Sequence, residues 1–169
     1  MTKHKLFISY YHKDDEKYRN RFEELFGDLF INKSVKIGDI NEDVSTEYII
    51  SLFRENYISD ASVVVVLIGP NTHCRKHVDW EISAGLHNNT GLVGLILPNH
   101  NCYKKGSCYN RDLPDRLVAN LDTKYALLYD WTENRSHMEN IIEKAFENKL
   151  KKQKDKVNPK KQMKQNRCS

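Results

Sequence analysis

The run Val63 to Gly69 (VVVVLIG) is apolar without alternation, and it limits what the chain can fold into more than any other feature. A strand with one wet face alternates apolar and polar side chains. A strand without alternation is covered on both faces, as in the middle of a parallel sheet. A second two-sided run, Leu92 to Leu97 (LVGLIL), is ended by Pro98.

The remaining elements are placed around these two runs. Lys5 to Tyr10 (KLFISY) reads as the first strand. From Asp14 to Phe30, Tyr18, Phe22, Leu25, Phe26 and Leu29 recur at spacings of three and four, and Asp14, Asp15 and Glu16 suit the positive end of a helix dipole. Ser34 to Ile40 is expected as a short second strand, and Ser45 as the cap of a helix whose face carries Tyr48, Ile49, Leu52 and Phe53. Pro70 to Lys76 is a loop, Val78 to Leu86 a helix, and Asn88 to Gly91 a turn. Asn99 to Arg116 reads as a long polar excursion, Lys124 to Asp130 as the last strand, and Met138 to Leu150 as a closing helix. Strands alternating with helices in this way predict a three-layer, doubly wound α/β domain with a parallel sheet of about five strands.

The 169 residues suit one domain. The formal net charge of +4 is unevenly spread: Lys149 to Ser169 holds eight Lys and one Arg against one Asp, so the rest of the chain is acidic. The expected organisation is a domain over 1–148 followed by a basic, solvated and flexible tail over 149–169, with no nucleic-acid surface implied on the folded part. No apolar run approaches the ~20 residues of a membrane span, and the first residues lack a signal peptide's apolar core, so a cytoplasmic protein is expected. The four cysteines, Cys74, Cys102, Cys108 and Cys168, are expected as reduced thiols. His73, Cys74, His77, His100, Cys102 and Cys108 form two short clusters without C-x-x-C spacing, so no metal is expected.

In open parallel sheets, ligands bind beyond the carboxyl ends of the strands. That rim gathers Ser9, Tyr10, Tyr11, His12, Asp39, Asn71, Thr72, His73 and Arg75, with Glu81 one turn into the following helix. No G-x-x-x-x-G-K-[ST], G-x-G-x-x-G or G-x-S-x-G motif occurs, which disfavours conventional kinases, NTPases, dehydrogenases and α/β-hydrolases. On the residues alone, Glu81 reads first as an acid favoured by the helix dipole and only second as a functional carboxylate.

Three segments carry a resemblance: KLFISYYHKDD, SVVVVLIGPNTHCRKHVDWEISAGL and LPDRLVANLDTKYALLYDW. Over about Lys5 to Lys149 the chain resembles the TIR-like domain family that includes the ThsB proteins of Thoeris antiphage defence. The resemblance implies a flavodoxin-like fold and cleavage of the N-glycosidic bond of NAD. Nicotinamide is released, and the ADP-ribose product becomes a cyclic or otherwise modified signal for an effector protein. It implies that Glu81 is the catalytic acid and that Phe7 and Ser9 line the nicotinamide side. Tyr10, Asp39, Asn71, Thr72, His73, Arg75 and His77 complete the expected substrate site, with NAD as substrate and neither cofactor nor metal. It also implies self-association, and a phage-derived trigger. Many family enzymes place Trp four residues before the catalytic acid, whereas here His77 holds that position and Trp80 directly precedes Glu81. A single carboxylate suffices for this chemistry, because a pyridinium leaves as a neutral molecule and needs no acid. A non-catalytic scaffold module is the alternative, and a flavin-binding protein a third reading.

Overall fold

Both apolar runs become neighbouring parallel strands in the computed structural model, which describes residues 3–33, 51, 55, 58 and 60–168. In chain order the elements are β1 (Lys5–Ser9), α1 (His12–Phe26), β2 (Ile31–Asn32), β3 (Val63–Ile68), α2 (Lys76–His87), β4 (Gly91–Ile96), α3 (Asp115–Asp122), β5 (Leu127–Asp130) and α4 (Arg135–Lys151). The sheet is wholly parallel, in the order β2-β1-β3-β4-β5. This is the flavodoxin-like order, and the chain changes winding direction between β1 and β3.

The lack of alternation in β3 follows from what covers it. Val63, Val65 and Leu67 join Leu6, Ile8, Val93 and Leu95 in a core roofed by Phe22 and Phe26 of α1 and by Met138, Ile141 and Ile142 of α4. Val64, Val66 and Ile68 join Phe7 and Leu92 under Val78, Ile82 and Leu86 of α2 and Leu117 of α3. All six β3 side chains have 0% exposure. Each buried aliphatic side chain contributes about 1.5–3 kcal/mol, so the strand anchors both layers. Gly91 lets α4 approach closely: a Cβ there would lie 2.5 Å from the Ala145 carbonyl oxygen and 2.9 Å from its carbon.

Several expectations are corrected. The first helix starts at His12 and closes at Gly27, whose N–H bonds the Glu23 carbonyl, so Leu29 and Phe30 lie beyond it. The second strand is Ile31–Asn32, paired with Lys5 and Leu6. The expected strand at Ser34 to Ile40 and the helix capped by Ser45 lie outside the described residues, apart from a few isolated positions. Helix α3 emerges where the polar excursion ends. Its apolar stripe is short, and Arg116 and Asn120 occupy inward positions that a periodicity reading assigns to solvent. The cysteines are not free thiols: Cys74 pairs with Cys168 and Cys102 with Cys108 as disulfides. Among the described residues, no helix is long and apolar enough to cross a membrane.

The largest departure concerns the basic C-terminal segment, which does not trail into solvent. After α4 it turns back along α2 and α3. Asn120 exchanges hydrogen bonds with the Val157 backbone at 2.8 and 2.9 Å. Arg116, 4% exposed, donates to both Asp79 oxygens, to Asn158 Oδ1 and to the carbonyls of Pro159 and Lys161. The Met163 N–H donates to Asp79 Oδ2, and Trp80 Nε1 donates to the Met163 carbonyl at 2.7 Å. The Lys side chains stay at the surface, while the backbone of this segment satisfies buried polar groups on the two helices. That pairing explains why a strongly charged segment docks.

Two outcomes test this packing. Gly91→Ala should destabilise the fold by about 1–3 kcal/mol, because the added methyl meets helix backbone that cannot rotate away; the urea midpoint measures it, and an unchanged midpoint contradicts the close approach. Asp79→Ala leaves the Arg116 guanidinium buried without its counter-charge and should cost about 3–5 kcal/mol, whereas a surface pair would cost less than about 1 kcal/mol.

Candidate active site

Three connections meet at the carboxyl end of the sheet, and short polar side chains hold them together. Thr72 is fully buried; its Oγ1 accepts from the Gly69 N–H at 2.8 Å and donates to the Leu67 carbonyl, folding the chain back over the end of β3. Asn71 donates to Asp14 of α1 at 2.8 Å, and Asn99, after β4, donates to Asp15 at 2.9 Å. Asp15 is itself buried, and burial raises its pKa, partly offset by the bond from Asn99. Its carboxylate fills the space where a side chain on Gly69 would go. Asp15 thus ties α1 to the loops after β3 and β4. From sequence alone Asp15 reads as a dipole-favouring acid in the first turn of α1, because its partners Asn99 and Thr72 are distant in the chain.

Glu81 sits in the second turn of α2, on the side that packs against the sheet. It is 7% exposed, and burial pushes its pKa up to about 8, with Ser9 acting in the opposite direction. Ser9 ends β1 in register with Val66 of β3 and is fully buried. Although the two groups face each other, neither Ser9 Oγ nor Glu81 Oε2 closes a hydrogen bond of ordinary geometry among the described residues. Buried polar atoms are nearly always paired; these two are exceptions, together with Asp15 Oδ2, His73 Nδ1, Arg75 Nε and Thr90 Oγ1.

Around this pair the rim is aromatic and basic. The Tyr10 ring stacks on His12 at 4.0 Å between centroids. Burial raises the Tyr10 phenol pKa, and Glu81 adds to that rise. His12 is lowered to about 4, chiefly by burial and then by His77 and Arg19, so its imidazole is neutral at ordinary pH. The Arg75 guanidinium lies 4.0 Å over the Tyr11 ring, with a buried Nε lacking a partner among the described residues. His77 is 5.3 Å from the Trp80 ring, one turn along α2.

The sequence-derived set therefore divides. Ser9, Tyr10, Arg75 and His77 share the rim with Glu81. Phe7 is 1% exposed and packs under α2 in the core directly behind Ser9. Asn71 and Thr72 spend their side chains on holding the loop, and His73 turns to the sulfurs of Cys74 and Cys168, at 3.3 and 3.9 Å. Asp39 lies outside the described residues. Trp80 is a packing residue, as its simplest sequence reading has it, and its indole N–H holds the C-terminal segment. A separate cavity of about 520 Å³ lies among Asp79, Asp115, Arg116 and the docked segment, and Glu81 does not line it.

One family model matches the chain, that of the TIR-like domain of Thoeris protein ThsB, over residues 7–102. No curated protein sequence matches it significantly. The matched stretch is more than half of the chain and runs from β1 through β4, so it contains Ser9, Asp15, Arg75, His77 and Glu81. With the parallel 2-1-3-4-5 sheet already established, this places the chain in the ThsB TIR-like family of Thoeris antiphage defence.

Proposed function

We propose that the protein cleaves the bond between nicotinamide and ribose in NAD, with Glu81 as the catalytic carboxylate. The observation that carries this reading is the buried Glu81 carboxyl with an unpaired oxygen beside the unpaired Ser9 hydroxyl, at the switch point of the sheet. In the reaction the ribose C1′–nitrogen bond breaks and its electron pair stays with the ring nitrogen. Nicotinamide departs neutral, and positive charge develops on the ribose. An ionised Glu81 in a site of low polarity stabilises that charge more strongly than it would in water. The cationic nicotinamide ring of the bound substrate favours the ionised form, so substrate charge offsets what burial imposes.

An oxygen nucleophile then attacks C1′ and gives up its proton. Water yields linear ADP-ribose, and a hydroxyl of the same molecule yields a cyclic product. Ser9 is suited to hold a ribose hydroxyl or the nicotinamide amide, and Arg75, stacked on Tyr11, to meet a phosphate. The nucleotide released would act as a diffusible signal to an effector protein, with a phage-derived trigger and self-association controlling output.

Glu81→Gln keeps the shape of the side chain and removes its charge. It should lower nicotinamide release from NAD by about 10²–10³-fold, with circular dichroism unchanged; a variant as active as the parent removes Glu81 from the chemistry, and no turnover by either protein leaves the scaffold role.

The pH dependence has a defined sign. A carboxyl raised to about 8 in the folded state binds a proton that the unfolded chain has already released near 4.5. Stability from this group is therefore fully present below about 4.5, falls as pH rises, and is fully lost above about 8. The melting temperature of the parent should drop relative to Glu81→Gln across that window and stay parallel above it, while kcat/KM rises toward pH 8 as the catalytic form fills.

A further inference from the structure

All four cysteines of the chain are drawn together two by two, and each pair has one histidine within 4.8 Å. One group is His73, Cys74 and Cys168; the other is His100, Cys102 and Cys108. A disulfide needs no imidazole beside it. Two thiolates and an imidazole converging on one point are the donor set of a thiophilic divalent cation.

The two groups differ in what their histidines are free to do. His100 has both ring nitrogens engaged: Nδ1 accepts the Cys102 N–H at 3.0 Å, and Nε2 donates to the Asp112 carbonyl at 3.3 Å. That ring is a turn-former. His73 instead directs Nε2 at both sulfurs of its group, 3.3 Å from Cys74 and 3.9 Å from Cys168, and its buried Nδ1 has no partner among the described residues. When Cys74 and Cys168 are bonded to each other, this ring has no strong partner at either nitrogen.

We propose that the reduced chain binds one zinc ion through His73 Nε2, Cys74 Sγ and Cys168 Sγ. Two thiols give up their protons to solvent and the two thiolates neutralise the ion, leaving the fourth tetrahedral position to water or an added ligand. With Zn–S bonds of about 2.3 Å the sulfurs must stand about 3.8 Å apart, a separation within reach of side-chain rotation at the observed Cα–Cα distance of 5.3 Å. The backbone holds the two cysteines in place independently of any ion. The Arg167 N–H bonds the Cys74 carbonyl at 2.9 Å, and Asn166 Oδ1 accepts from the Lys76 N–H at 3.1 Å. The ion would fasten the end of the C-terminal segment to the 3₁₀ turn that leads into α2, the helix of Glu81. Bonding the two sulfurs to each other excludes the ion.

The inference does not depend on NAD cleavage, and its readout is metal content. The full chain, fully reduced and incubated with zinc chloride and then desalted, should retain about one zinc per chain by mass spectrometry of the metal. Cobalt loading should give thiolate-to-cobalt charge-transfer bands. Cys168→Ser and His73→Ala should each reduce retained zinc to background with circular dichroism unchanged, while a Cys102→Ser, Cys108→Ser double variant should retain it. No zinc on the reduced parent overturns the proposal. So does zinc lost with Cys102 and Cys108, or zinc indifferent to His73.

Discussion

Water is excluded from both sides of β3, and most of the architecture follows from that constraint. Six consecutive aliphatic side chains with no exposed face cannot sit at an edge or on a half-open sheet. They require strands on either side, β1 and β4, and helices above and below. Parallel neighbours demand crossover connections, and these bring the loops after β1, β3 and β4 to one end of the sheet. The rim is a by-product of how this strand is buried.

Glu81 takes its chemistry from the same packing. Helix α2 lies against Val64 and Phe7 with nearly every side chain from Val78 to Leu86 buried, so a carboxyl at position 81 leaves water. Taking that charge out of water costs stability, and the nearest polar group, Ser9, offsets only part of the cost. A strongly desolvated carboxyl beside a polar partner in a cleft is a candidate functional group. Asp15 is also buried, but Asn99 supports it and it closes the loops together. Each of these two buried acids keeps one oxygen without a partner among the described residues, but only Asp15 links separate connections of the rim.

The outer side of the helical layer is organised by a second buried charge pair. Arg116 and Asp79 are both nearly unexposed, a costly arrangement unless their remaining donors and acceptors are met. The C-terminal backbone meets them, so a segment carrying eight lysines and one arginine is held by its carbonyls and N–H groups rather than by its charges. Trp80 and Ser83 extend the seam along α2.

The sequence by itself determined the elements whose signal is local. The unalternating runs, the three-to-four spacing of the first helix and the acid one turn into the helix after β3 all reappear within a few residues of where they are expected, because burial on two faces or one imposes a periodicity that composition records. Helix α3 escaped because its inward positions include Arg116 and Asn120, polar residues whose partners are about 40 residues further on. The docking of the C-terminal segment, the meeting of Cys74 with Cys168, and the desolvation of Glu81 beside Ser9 were decided by tertiary structure alone. Each depends on which distant groups become neighbours, and neither the pKa of a carboxyl nor the partner of a sulfur or an arginine is a property of the residue by itself.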